Sequence, residues 1–136
     1  MKVSIITVSF NAAKTISATL SSVASQTYPH IEHIVVDGGS TDGTQEVVKE
    51  YQHVAKFISE PDNGLYDAMN KGLAISTGEI VVILNADDFY AHAGIIDKVV
   101  SCFKQQQVDA VYGDLVYVNA DYTKIIRNWK AGHFNR

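Results

Sequence analysis

The sequence predicts an α/β fold of three layers, a mostly parallel sheet flanked by helices, and three observations lead to it. Val/Ile-rich runs at 2–10, 32–37, 56–59 and 79–85 alternate with stretches of helical periodicity. That alternation is the pattern of parallel strands joined by crossover helices. The run Ile80-Val81-Val82-Ile83-Leu84 is apolar without a break, as expected of a strand covered on both faces. The three longer runs close on polar residues, at Ser9, at Asp37 and at Asn85-Ala86-Asp87-Asp88, and ligands of open parallel sheets sit at that carboxyl edge.

Taken in order, residues 2–10 form the first strand, with Asn11 placed to cap a helix over 12–25. Ile16, Leu20 and Val23 lie on one face of that helix, and Tyr28-Pro29 ends it. The second strand, 32–37, leads into Gly38-Gly39-Ser40-Thr41-Asp42-Gly43-Thr44, a loop of turn formers. A helix through Glu46, Val47, Val48 and Tyr51 follows, then a short strand at 56–59 broken by Pro61-Asp62-Asn63-Gly64. Residues 65–76 read as a helix whose core stripe is Leu65, Ala68, Met69, Gly72 and Leu73, with Asp67 and Lys71 paired on another face. After the apolar strand come a helix over 95–106, a strand over 108–113, and a hairpin of 115–118 with 124–127.

A chain of 136 residues has room for one domain with a single core. A 46% share of apolar and 19% of charged residues is that of a globular protein in water. The net charge of −4 and the lack of any Lys/Arg run count against a nucleic-acid partner. Cys102, the one cysteine, lies in an apolar stretch and reads as a buried thiol in a reducing compartment. No apolar stretch approaches the ~20 residues of a membrane span, so the expected location is cytoplasmic, with peripheral contact at the inner face of a membrane left open. An uncovered sheet edge would offer a place for a second copy.

Right-handed crossovers bring Ser9, Asp37 and Asp87 to one edge, which gathers Asn11, Asp37, Asp42, Asn85, Asp87 and Asp88. Such a crevice repels a bare anion. It suits a divalent cation alone or a diphosphate carried with its metal, through hard oxygen ligands in an incomplete shell. Lys71 can add a point charge to a phosphate. The plainer readings are that Asp87 and Asp88 cap the following helix, and that Asp37 and Asp42 satisfy turn backbone. The loop 38–43 is neither a dinucleotide fingerprint nor a P-loop, and the five histidines lack metal-ligand spacing.

Four motifs together resemble family 2 glycosyltransferases: Thr7-Val8-Ser9-Phe10-Asn11, Val35-Val36-Asp37-Gly38-Gly39-Ser40-Thr41-Asp42-Gly43-Thr44, Asp67-Ala68-Met69-Asn70-Lys71-Gly72 and Leu84-Asn85-Ala86-Asp87-Asp88. They stand in the family's order, and the approach from Glu60 to Asp67 resembles bacterial polysaccharide-synthesis members. The resemblance implies the GT-A fold, a Rossmann-like arrangement. It also implies inverting transfer from a UDP- or GDP-sugar to a saccharide or lipid-linked acceptor, in cell-surface polysaccharide synthesis.

Residue by residue, it implies that Thr7, Ser9, Asn11 and Asp37 hold the base and ribose, Asp37 accepting a hydrogen bond from the base. Lys71 would lie near the phosphates, and Asp67 and Asn70 near the substrate. Asn85 stands where the family has the first Asp of its D-x-D motif, and Asp87 with Asp88 would bind Mg²⁺ or Mn²⁺. Gly38 replaces an acidic residue that many members carry. The general base belongs to an acceptor-binding half that this chain is too short to hold, so the expectation is the donor-binding part of a longer enzyme. The alternatives are a fragment that binds nucleotide and metal without transfer, or a nucleotidyltransferase. The latter usually carries a Gly-rich basic loop near its N-terminus, which 8–14 is not.

Overall fold

A computed structural model describes residues 1–132, in two compact units, Met1–Val100 and the described residues from Ser101 on. The first holds a parallel sheet of β1 (Val3–Ser9), β2 (Ile31–Asp37), β3 (Val54–Ser59) and β4 (Ile80–Asn85), in the order β3-β2-β1-β4. β1 is central, and all seven of its residues are buried. Side chains alternate across a strand, so the two faces collect different partners. Ile6, Val8, Ile34 and Val36 pack against Ala68, Met69 and Ile75 of α3 (Leu65–Ile75). Val35 packs in a second cluster with Ile16 and Leu20 of α1 (Ile16–Ala24), Val48 of α2 (Thr44–Lys49) and Ala86. Helices therefore cover both faces, giving the three layers. α4 (Ile95–Gln106) buries Ile96 and Val100, and Gln26 Oε1 accepts its Ile96 N–H at 3.1 Å.

Close approach of α3 to β1 depends on Gly72. A Cβ at that position would run into the Cγ2 methyl of Ile6, which is fully buried. Gly72→Ala should therefore destabilise the unit by about 1–3 kcal/mol through overpacking, although alanine is the better helix former by about 1 kcal/mol. A melt of the variant above that of the wild type would show that α3 can slide away freely.

At the amino edge of the sheet, Glu32 is only 5% exposed. It accepts hydrogen bonds from Ser4 Oγ at 2.7 Å and Thr77 N at 2.9 Å, and pairs with Lys56 at 2.9 Å and Lys2 at 3.2 Å. Burial alone would raise its pKa, but the bonds from Ser4, Lys56 and Thr77 outweigh it and hold the carboxyl well below the usual range. Inside the sheet, His33 is buried between two partners. Its Nε2 lies 2.9 Å from Thr7 Oγ1 and its Nδ1 lies 3.0 Å from His53 Nε2.

Several expectations are corrected. The helix expected over 12–25 begins only at Ile16. The backbone N–H groups of Asn11, Ala12 and Ala13 donate instead to Ser40 Oγ, Thr44 Oγ1 and Asp42 Oδ2. β4 is not covered on both faces: Val81 is 39% and Ile83 42% exposed, because β4 is the last strand of the sheet among the described residues. Leu65 and Leu73 of the expected core stripe are half exposed, at 50% and 52%. Residues 108–113 form no strand, and Cys102 is half-buried rather than enclosed. In the second unit, β5 (Leu115–Val118) and β6 (Ile125–Trp129) pair antiparallel as the expected hairpin. His133, one of the five histidines, lies outside the described residues.

Candidate functional site

The parallel register sets the carboxyl edge: Ser9 of β1 pairs with Asp37 of β2, and Val8 of β1 with Asn85 of β4. The loops after these strands therefore meet around the end of β1. The β2–α2 loop is fastened to the segment after β1, with Asn11 Oδ1 accepting from Thr41 N at 3.1 Å. Asn11 adopts φ of 49°, a left-handed conformation that asparagine tolerates better than most residues. Asp42 accepts from Ala13 N at 3.0 Å and Thr44 Oγ1 at 2.5 Å. Those bonds from Thr44 and Ala13 lower its pKa and make it a turn-building carboxylate.

Asp37 has no exposed surface, and its carboxylate takes five hydrogen bonds. Ser9 Oγ donates at 3.0 Å, Ser40 N at 2.8 Å, Ser59 Oγ at 2.8 Å and Gly39 N at 3.2 Å, and Ser40 Oγ makes a further short contact. A carboxylate has about four lone-pair sites, so none is left for a base. Asp37 ties together the carboxyl ends of β1, β2 and β3. Thr7 lies further inside the sheet. It is fully buried, its hydroxyl lies against His33, and its backbone stands within the ladder between β2 and β4.

Ser9 and Phe10 reach a cleft of about 500 Å³, lined also by Val8, Gly38, Pro61, Asp62, Leu65 and Ala68. Its far wall is the segment between β3 and α3, which Lys71 holds in place. Lys71 Nζ pairs with Glu60 at 2.9 Å and Asp67 at 3.3 Å, and donates to the Pro61 carbonyl at 3.3 Å. The bond to Glu60, followed by that to Asp67, raises its pKa. Asp67 in turn accepts from Asn63 N at 3.1 Å, and that bond with the one from Lys71 lowers its pKa. Lys71 and Asp67 are thus engaged with each other and with this segment, while Asn70 is exposed on α3.

On the other side of β1, Asn85 to Asp88 make a turn closed by the Asp88 N–H on the Asn85 carbonyl at 3.0 Å. Asp87 and Asp88 are exposed side by side. Burial and the charge of Asp87 raise the pKa of Asp88, against a bond from Asn85. The Asn85 side-chain oxygen is buried and receives no hydrogen bond. Among the described residues no three His, Cys, Asp or Glu side chains gather to hold a metal. Two carboxylates that repel one another beside an amide oxygen without a donor nevertheless fit Mg²⁺ or Mn²⁺, provided the remaining ligands come from substrate oxygens and water. Asp114 and Asp121, two of the three acids of the second unit, serve local structure: Asp114 accepts from Ala131 N at 2.8 Å and Asp121 from Thr123 Oγ1 at 2.6 Å.

What the sequence did not disclose is the place of Asp62, whose carboxylate lies directly over Gly38. Its only signal was the turn-forming context of residues 61–64, where an acid reads as part of the turn.

Comparison with known proteins agrees with this geometry. The profile of "Glycosyl transferase family 2" matches residues 4–136. An uncharacterized glycosyltransferase of Nostoc sp. is 34% identical over 125 residues, which are 89% of this chain and 38% of that protein. Among solved structures, S. aureus TarS in complex with UDP aligns at a TM-score of 0.74 and 28% identity, over 80% of this chain and 34% of that one. The mannosyltransferase PcManGT from Pyrobaculum calidifontis, in complex with GDP-Man and Mn²⁺, aligns at a TM-score of 0.71 and 30% identity, over 86% of this chain and 35% of that one. The fold is the GT-A arrangement of these transferases, and the chain spans well under half the length of each. With the profile matched over residues 4–136, the chain belongs to glycosyl transferase family 2.

Proposed function

We propose that this chain provides the donor site for moving a sugar from a nucleotide-diphosphate donor to an acceptor hydroxyl, with inversion at the anomeric carbon. The observation that carries the reading is the pairing, across the end of β1, of an apolar cleft with an acidic turn whose Asn85 oxygen has no donor. A nucleoside fits the cleft, and its diphosphate would extend toward Asn85, Asp87 and Asp88. A divalent cation bound there supplies Lewis-acid neutralisation of charge growing on the leaving phosphates. The chain's own contribution is to hold the nucleoside between Phe10 and Leu65 and to fix the acidic turn at the end of a rigid strand. Support for the donor class comes from relatives whose structures hold UDP or GDP-Man with Mn²⁺. A saccharide or lipid-linked acceptor, used in cell-surface polysaccharide synthesis at the cytoplasmic face of a membrane, fits the same reading. No helix among the described residues is long and apolar enough to cross a membrane.

A second reading, binding of the nucleotide and metal without transfer, is favoured by the structural engagement of Asp114 and Asp121. One experiment addresses both. UDP or GDP with Mn²⁺ at ~100 times Kd should stabilise the protein by ~2.7 kcal/mol, a rise of several degrees in Tm. EDTA or Asp87→Ala should abolish that rise. A shift that survives both would remove Asp87 from the site, and binding without turnover on any acceptor would select the second reading.

A further inference from the structure

We infer that Asp62 selects the nucleobase of the donor, and that Gly38 is glycine to make room for it. The inference rests on the donor-site reading above and goes one step further, to the class of base. A Cβ built on Gly38 would lie 2.7 Å from Asp62 Oδ2 and 3.2 Å from its Cγ, so any side chain at position 38 would push the Asp62 carboxylate out of its present place. Gly38 is not among the glycines with positive φ, which are Gly39, Gly43 and Gly64. Its backbone is one that other residues adopt. What the position demands is space, and the Asp62 carboxylate fills that space.

The carboxylate is also held in place. Asp62 Oδ1 accepts the Gly64 N–H at 2.9 Å. The segment around it is pinned by Lys71 on Glu60 and on the Pro61 carbonyl, and by the Asn63 N–H on Asp67. Asp62 Oδ2 receives no hydrogen bond from the described residues. It faces a cleft with Val8, Pro61 and Ala68 in its lining and with Phe10 and Leu65, 67% and 50% exposed, at its rim. One acceptor among flat apolar walls is what a heterocycle needs in order to stack and be read at its edge. Asp37, the other carboxylate at this end of β2, has no lone pair to offer.

An ionised carboxylate only accepts. Uracil offers it the N3–H and guanine the N1–H. Cytosine and adenine present a ring nitrogen lone pair at the matching place, which a carboxylate repels. The base is therefore one that carries a ring N–H: uracil, its 5-methyl homologue thymine, or guanine.

The test is calorimetric titration of UDP, GDP, CDP and ADP with Mn²⁺ into the wild type, Asp62→Asn, Asp62→Ala, Gly38→Asp, and Gly38→Asp combined with Asp62→Ala, each checked for an unchanged melt without ligand. The wild type should bind UDP or GDP roughly 10- to 100-fold tighter than CDP and ADP, the value of one charge-assisted hydrogen bond. Asp62→Asn should erase that preference, because an amide can donate to a ring nitrogen. Gly38→Asp alone should weaken binding, since two carboxylates cannot share the slot. Emptying the slot with Asp62→Ala should let Asp at position 38 restore part of the preference. A wild type without base preference, or an Asp62→Asn variant that keeps it, overturns the inference and leaves the donor site standing. If no nucleotide binds the wild type at all, the donor-site reading falls and takes the inference with it.

Discussion

Asp37→Ala should lower the stability of the chain by about 3–5 kcal/mol, the cost of removing one partner from a buried hydrogen-bonded charge network. The five donors on its carboxylate come from three places in the chain: Ser9 at the end of β1, Gly39 and Ser40 after β2, and Ser59 at the end of β3. Alanine would leave the hydroxyls of Ser9, Ser40 and Ser59 and two backbone N–H groups facing a void where water has poor access. Asp37→Asn should recover little, because all five partners donate and the amide would turn an NH₂ group toward some of them. Urea unfolding monitored by circular dichroism would measure the loss. A variant that unfolds at the wild-type midpoint but no longer binds nucleotide would instead return Asp37 to the role of a ligand contact.

The second large effect is a dependence of stability on pH set by the interior of the sheet. Burial, with a smaller contribution from the neighbouring His53, pushes the His33 pKa down from 6.5 to about 3. Burial lowers that of His53 as well. The pair is satisfied with both rings neutral, since one proton serves the contact between His33 Nδ1 and His53 Nε2. A second proton there would set two N–H groups against each other. Between pH 6.5 and about 3 the unfolded chain therefore binds more protons than the folded one, and stability falls as the pH falls through that window. Fully titrated, His33 alone accounts for about 4–5 kcal/mol at 1.36 kcal/mol per pH unit. Above pH 7 the contribution is complete and the curve should be flat. Denaturation midpoints measured from pH 8 to pH 4 would trace the slope, and His33→Gln should flatten it above pH 5. An unchanged slope in that variant would assign the acid sensitivity elsewhere.

These two cases also show where sequence reading succeeds and where it stops. The strands were legible because each apolar run carries its own signal: β1, β2 and β4 could be placed to within a residue or two from Val and Ile alone. The acidic turn was legible for the same reason, since Asn85 to Asp88 follow directly on a strand whose end is evident. Helix α1 begins at Ile16, four residues later than its composition suggests. Nothing local in Ala12 to Thr15 opposes a helix, and this stretch is a turn whose Ala12 and Ala13 N–H groups are bound by Thr44 and Asp42, far along the chain. The stretch 108–113 has strand composition but no ladder, which composition cannot supply. The exposure of Val81 and Ile83 likewise depends on which strand lies at the edge of the sheet.

The sequence by itself determined the alternation of strands and helices, the family, and the strand ends where polar chemistry gathers. Those properties are written in neighbouring residues, in hydrophobic period and in short motifs. Only the tertiary structure decided which carboxylate does what. Asp37 and Asp62 are both acids within two residues of a glycine in turn-rich segments, and no local pattern tells which of them is enclosed. One is enclosed by serines from three strand ends and spent on holding the edge together. The other is set over a glycine with one oxygen turned to an apolar cleft. The reason is physical: the role of a carboxylate is set by which donors reach its lone pairs, and those donors arrive from distant parts of the chain.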